Sequence, residues 1–148
     1  DIGTSNLAMP YATVSNGDLE PIFHYGYPDY PDGALRTSAA HLARWLCAFM
    51  NFGVFESTRV LDETTVREIR RNQIPDLVRW RQGLIWYGQR RWGFLAMGHT
   101  GGDYGESTRM FFRPDRGVGV VSLTNAYLGG RRWAAFSDIE RHLFQEFS

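Results

Sequence analysis

The sequence predicts an α+β fold, in which an antiparallel sheet of three to four strands is packed by a long C-terminal helix. Three observations support this prediction. Apolar residues recur at helical spacing in the first half of the chain, short strand-like apolar stretches fill residues 83–124, and the last segment is again helical in period. Helices followed by strands and a final helix are typical of a sheet with helices packed on it.

Two helices and an aromatic loop precede the predicted sheet. The first helix is predicted to begin after Ser38, a favourable N-cap residue, and to end near Gly53. The second is predicted to begin at the Asp62 cap and to be ended by Pro75. The loop, Tyr25–Gly33, contains two Pro-Asp pairs that disfavour helix, so it is predicted either to pack over the core or to border a binding cleft.

The predicted strands cover residues 83–88, 92–98, 109–112 and 118–124. The last two are joined by the turn-forming sequence RPDRG and form the clearest hairpin. The final helix is predicted to bury one apolar stripe, which consists of Trp133, Phe136, Ile139, Leu143 and Phe147.

Composition bounds the possible functions. The 148 residues fit a single domain, 1–148, and no apolar run approaches the roughly 20 residues that span a membrane. All 16 basic residues are Arg and 16 acidic residues balance them, which argues against a nucleic-acid partner. The absence of Lys excludes a Ser-Lys nucleophile pair, a Schiff-base Lys and a P-loop Lys within this sequence. We expect no cofactor and no metal site.

The sequence His-Thr-Gly-Gly, His99–Gly102, is the candidate functional motif. A strand that approaches a reacting carbonyl needs a residue without a side chain, a free N–H aimed at the developing oxyanion, and short polar groups. Gly101 and Gly102 meet the first need, the Gly102 N–H meets the second, and Thr100 and His99 meet the third. On composition alone, a glycine turn between two strands remains the alternative. The neighbouring acidic residues, Asp103 and Glu106, are predicted to be solvated loop charges.

Four segments in order carry a resemblance to a known family: YPDGALRTSAAHLARWL, VLDETTVREI, GLIWYG and HTGGDYGESTRMFFRPDRGVGVVSLTN. Together they resemble the serine β-lactamase and penicillin-binding-protein family, in particular its class C and esterase-like branch. The third motif of that family is Lys-Thr-Gly, often His-Thr-Gly in esterase-like members. The resemblance covers nearly the whole chain. It implies a partial β-lactamase-like fold and a serine hydrolase that acts on β-lactam, peptide or ester carbonyls through an acyl-enzyme.

The resemblance also implies a role for each matched residue. His99 stands where the family has Lys or His near the nucleophile, and Thr100 would help to hold the substrate. Gly101 would allow close approach, and Gly102 would supply one oxyanion N–H. Asn125 resembles an Asn that helps to bind the substrate carboxylate in some members, although it can simply end a strand.

Two other family motifs are missing from the sequence. The nucleophile of the family lies on a Ser-x-x-Lys helix, and its second motif is Tyr-x-Asn; both precede the matched region. We therefore expect this chain to be a C-terminal portion that is inactive by itself, with a small-molecule or peptide acyl substrate in a full-length context. The alternative is a non-catalytic binding or interaction domain. The family allows a periplasmic, secreted or cytoplasmic location.

The family resemblance also predicts a partner. In the family, strands from the beginning of the chain complete the sheet by pairing with its last strand. The equivalent strand here, Val118–Thr124, is therefore expected to be an open edge that joins either a second copy or an N-terminal portion.

Overall fold

The computed structural model describes residues 4–26, 28–29, 32–33 and 35–147. Three helices, nine strands and one short 3-10 turn are present in that part of the chain. The predicted loop Tyr25–Gly33 is only partly covered, since residues 27, 30 and 31 lie outside the described ranges. In chain order the elements are the 3-10 turn Thr4–Asn6, β1 Tyr11–Thr13, β2 Leu19–Pro21, α1 Ala39–Met50, β3 Val54–Phe55, β4 Thr58–Arg59, α2 Glu63–Arg70, β5 Arg81–Gln82, β6 Tyr87–Arg91, β7 Phe94–Asp103, β8 Glu106–Arg113, β9 Val118–Thr124 and α3 Gly130–Glu146.

The main sheet has five antiparallel strands in the order β5-β6-β7-β8-β9. The predicted α+β architecture with a long C-terminal helix is confirmed. The fifth strand, β5, is only two residues long, and β1–β2 and β3–β4 form two small separate hairpins. The predicted hairpin between β8 and β9 is present, and its turn is closed by the Gly117 N–H, which donates to the Arg113 carbonyl.

Alternating residues send side chains to the two faces of this sheet. Met97 and Phe112 pack with Leu46 and Phe49 of α1 and with Val66 of α2 on one face. The other face packs against α3, and its buried members are Ala96, Phe111, Val120 and Phe144. Each face therefore has its own apolar cluster, and the strands that carry the candidate motif lie between two helical layers.

Strand boundaries differ from the prediction at several places, and β8 begins at Glu106 rather than at Arg109. Residues 83–86 form a turn rather than a strand, because the Gly83 N–H donates to the Trp86 carbonyl and Ile85 has a φ of +68°. A second turn at Trp92 and Gly93, both with positive φ, separates β6 from β7. Strand β7 then continues through Asp103, so the candidate motif is part of a strand and the glycine-turn alternative is wrong.

Helix ends are partly as predicted. The Ser38 hydroxyl accepts a hydrogen bond from the His41 N–H at 3.2 Å, which confirms the predicted N-cap of α1. Helix α2 begins after Asp62 without a side-chain cap and ends at Arg70, not at Pro75. It ends early because the Ile69 carbonyl, which would bond residue 73 in a longer helix, accepts from the Leu84 N–H instead.

The buried stripe of α3 is also different from the prediction. The structure buries Phe136 and Phe144 together with Glu140, whereas Ile139 is 56% exposed and Phe147 is 70% exposed. The prediction was right for Phe136 and wrong for Ile139 and Phe147, and it omitted Glu140 because it assigned only apolar residues to the core-facing side.

Candidate active site

The second half of β7 has an open edge. Strand β6 pairs with residues 94–98 of β7, and β8 pairs with residues 97–103. Within the described ranges, residues 99–103 therefore have a strand partner on one side only. Alternate backbone N–H and C=O groups of a strand point to each side, so part of the His99–Gly102 backbone is free to pair with an extended ligand.

Tyr87 contacts both polar side chains of the motif. Its hydroxyl donates to Thr100 Oγ1 at 3.2 Å, and its ring lies 5.5 Å from the His99 ring in an edge-on arrangement. His99 is exposed and Thr100 is half-buried. Tyr87 was not predicted to belong to the site. The signal that identifies it is tertiary, because Tyr87 lies opposite Gly98 on the neighbouring strand and so reaches the motif only through strand pairing.

The two glycines of the motif have different steric surroundings. A β-carbon on Gly101 would lie 2.5 Å from Thr108 Oγ1 on β8, so this position has little room for a side chain. A β-carbon on Gly102 would meet the Glu106 carbonyl oxygen at 3.5 Å, an ordinary contact distance. Gly101 is therefore restricted by its own neighbour strand, while Gly102 tolerates a small side chain.

A cavity lies between the motif and the start of α3. Ser107, opposite Gly102 in the sheet, is buried and accepts a hydrogen bond from the Leu128 N–H at 3.0 Å. This bond holds the connection between β9 and α3 against the motif. The cavity is lined by Thr100, Gly101, Gly102, Ser107, Tyr127, Leu128, Gly129, Gly130 and Trp133.

A model of the Beta-lactamase family matches residues 2–135, which include the whole sheet and the first turn of α3. The chain belongs to the beta-lactamase family. None of the curated proteins matches it. Membership agrees with the observed α+β fold.

Asn125 is not among the residues that line the cavity beside the motif. Its side-chain amide donates to the Met9 carbonyl at 2.7 Å, and its own carbonyl accepts from the Tyr11 N–H at 2.8 Å. It therefore anchors the segment before β1 at the end of β9. It is not one of the residues that line the cavity, and its predicted contact with a substrate carboxylate stays a prediction.

The aromatic loop meets the far end of β7 at a second cavity. The Tyr25 hydroxyl donates to the Tyr104 carbonyl at 2.8 Å, and Arg36 donates to the Tyr25 carbonyl at 3.2 Å. Asp103 is half-buried here and Glu106 is exposed, and both line this cavity. The described part of the loop thus packs against the strand end and also borders a cavity, so both predicted roles remain compatible with its position.

Charged side chains are buried beneath the motif, between the sheet and α3. Arg109, opposite Thr100 in the sheet, donates to the Glu140 carboxylate, and Arg91 lies 3.6 Å from the same carboxylate oxygen. Burial raises the pKa of Glu140, although Arg109 and Arg91 act to lower it. Burial also lowers the pKa of Arg91. This cluster was not predicted, because charged residues at these positions are typical of a protein surface.

The part of the chain that the structure describes contains no group of three or more His, Cys, Asp or Glu side chains arranged to hold a metal ion. Among the same residues, no helix has both the length and the apolar character that crossing a bilayer requires.

Proposed function

We propose that this chain is the C-terminal part of a β-lactamase-like serine hydrolase that acts on β-lactam, peptide or ester carbonyls through an acyl-enzyme. The observation that supports this most directly is the open edge of β7 at His99–Gly102, inside a chain of the beta-lactamase family. An extended acyl group pairs with such an edge through backbone hydrogen bonds.

Each residue of the motif has a part in the proposed reaction. The Gly102 N–H donates to the oxyanion that forms when the nucleophile attacks the carbonyl. The Thr100 hydroxyl, which Tyr87 orients, binds the substrate. His99 is exposed beside the open edge and sits near the incoming nucleophile. The nucleophile and its base come from a Ser-x-x-Lys segment outside this sequence, since the sequence contains no Lys.

The same lack of Lys favours the second candidate, a binding or interaction domain that keeps the scaffold without the chemistry. The two candidates differ in what the segment encoded upstream provides. A Ser-x-x-Lys and a Tyr-x-Asn there support the hydrolase, and their absence supports the binding domain.

We expect the pure chain to hydrolyse neither a chromogenic cephalosporin nor a nitrophenyl ester above background, because an oxyanion donor without a nucleophile does little. The same chain joined to an upstream Ser-x-x-Lys segment is expected to turn over at least one of them. In that protein, Gly102→Pro removes the N–H and should lower kcat by about 10²–10³-fold.

Gly102→Ala is the matched control, because it keeps the N–H and its β-carbon meets the nearest backbone oxygen at 3.5 Å. Equal activity of the Pro and Ala variants would remove Gly102 from the oxyanion site. Turnover by the pure chain would show that a different nucleophile is present in this sequence.

We also propose that β9 is the edge through which the chain associates. Within the described residues β9 pairs with β8 alone, and it contains neither Pro nor a charged residue. Unprotected apolar edges of this kind pair with other strands. We expect light scattering at micromolar concentration to give a dimer, or a complex when an N-terminal fragment is added. A monomer under both conditions would contradict this proposal.

A further inference from the structure

Trp133 is one of the residues that line the first cavity, the open one beside the motif. It lies in the first turn of α3, is 38% exposed, and lines the same space as Thr100 and Gly102. A partly exposed aromatic ring in a cavity wall offers a flat surface to a ligand. Trp133 therefore belongs both to α3 and to the lining of the cavity.

Arg109 supports this ring from below. Its guanidinium carbon lies 3.7 Å from the centre of the Trp133 ring and 5.0 Å from that of Phe136, and the residue is only 2% exposed. A desolvated cation over an indole face is a strong form of this interaction. Because Arg109 is also directly opposite Thr100 in the sheet, one side chain connects the motif strand to the aromatic wall.

Glu140 in turn holds Arg109. The Arg109 guanidinium donates to the Glu140 carboxylate and, at 2.9 Å, to the Ser137 hydroxyl. Ser137 lies about one turn and Glu140 about two turns after Trp133 along α3. Glu140 is fully buried and follows the residues that the family model matches, which end at 135. The Glu140 carboxylate therefore contacts the Arg109 guanidinium, the guanidinium contacts the Trp133 indole, and the indole lines the cavity.

This cluster is not arranged for maximum stability. Arg109 Nε and Glu140 Oε1 are buried without a hydrogen-bond partner among the described residues. A buried ion pair with such gaps is often no more stable than apolar side chains of similar volume. Unlike apolar residues, the ion pair provides a directional contact. This contact fixes the position of the Arg109 guanidinium and therefore that of the Trp133 ring.

We propose that Arg109 and Glu140 are positioning residues that hold Trp133 against the cavity, and that Trp133 selects ligands with a flat aromatic group on the Thr100 side. The inference rests on the proposed role of the motif, but its test measures the ring and its ligand and needs no turnover. Helix α3 thus contributes to ligand selection through Trp133 in addition to packing on the sheet.

Several charged or titratable groups surround the cluster. Arg91 approaches Glu140 from β6, where Tyr87 lies near Arg91, and Arg109 approaches Glu140 from β8. On α3 itself, Asp138 and Arg141 pair with each other at the surface. Protonation of Glu140 removes the negative charge that lies between the Arg91 and Arg109 guanidinium groups. The restraint on Arg109 then weakens, and Trp133 moves with it.

The test uses the whole chain labelled with 5-fluorotryptophan, whose five ¹⁹F signals report on the five Trp residues separately. Trp133→Phe identifies the Trp133 signal. Glu140→Gln and Arg109→Lys are expected to shift that signal and to leave the signal of the buried Trp86 in place. Asp138→Asn is the matched control, because it removes an exposed carboxylate from the same helix, and it should shift neither.

Ligand selection is measured with 4-nitrophenol as the flat aromatic probe. We expect it to shift the Trp133 signal, and to bind about threefold to tenfold more weakly to Trp133→Leu, Glu140→Gln and Arg109→Lys, the range that one aromatic contact supplies. Equal binding by the wild type and these variants would overturn the proposed role of Trp133 in selection.

A pH titration of the unmodified sequence keeps the proposal testable even where a variant does not fold. As the pH falls from 7 toward the ordinary carboxyl range of about 4, the Trp133 signal should move while the Trp86 signal stays. A Trp133 signal that is constant over this range, or that moves only together with all the others, would overturn the positioning role of Glu140.

Discussion

Replacing Arg109 with Met is expected to lower the free energy of unfolding by about 3–5 kcal/mol at pH 7, the usual result of removing one partner from a buried ion pair. The Glu140 carboxylate, which is 0% exposed, would keep only Arg91, 3.6 Å away. The ring contacts of Arg109 with Trp133 and Phe136 would be weakened as well. Urea denaturation at several pH values measures the loss.

The loss should depend on pH with a definite sign. Burial raises the pKa of Glu140 in the folded chain, and Arg109 opposes this rise, so removing Arg109 raises that pKa further. A carboxyl whose pKa is higher in the folded chain than in the unfolded chain binds its proton more tightly in the folded state. When the pH is above the folded-state pKa, such a carboxyl therefore lowers the free energy of unfolding. That unfavourable contribution disappears as the pH falls toward the unfolded pKa. The cost of Arg109→Met is therefore largest at pH 7–8 and smaller near pH 5.

Arg141→Met is the matched control on α3, since Arg141 pairs with Asp138 at the surface and its side chain is 48% exposed. We expect it to change the free energy of unfolding by less than about 1 kcal/mol. A cost of Arg109→Met that is the same at pH 5 and pH 8 would show that its effect is packing alone.

Phe49→Ala is expected to cost about 3–5 kcal/mol, the range for removing a large aromatic side chain from a core. Phe49 is 0% exposed and stacks on Trp86, with ring centres 4.1 Å apart, and it meets Phe112 edge-on at 6.1 Å. It is one of the residues through which α1 packs on the motif-bearing sheet, together with Leu46. Thermal or urea unfolding measures the cost, and near-ultraviolet circular dichroism should lose the Trp86 contribution.

Phe23→Ala provides the comparison, because Phe23 is 94% exposed and the same atoms are removed from a solvated position. A change within about 0.5 kcal/mol is expected there. Similar losses for Phe49→Ala and Phe23→Ala would mean that the stacked cluster of α1 and the sheet contributes little to stability.

Much of the candidate site could be predicted from the sequence, because the motif and its order among neighbouring segments are local. His99–Gly102 was proposed from its residue types together with the family resemblance, and the membership of the chain in that family is confirmed. Tyr87 and Trp133, in contrast, reach the site only through strand pairing and helix docking. The proposed ligand role of Asn125 rests on the resemblance, and the structure adds an anchoring contact with Met9.

By itself, the sequence determined the features that depend on neighbours along the chain. The Ser38 cap, the hairpin between β8 and β9 and the long last helix follow from capping chemistry, turn residues and hydrophobic period. Tertiary structure alone decided the end of α2, the extension of β7 through the motif, and the burial of Glu140 on the inner side of α3. In each of these cases a distant backbone group or charge, Leu84, β8 or Arg109, supplies the hydrogen bond or ion pair, and local sequence contains no information about such partners.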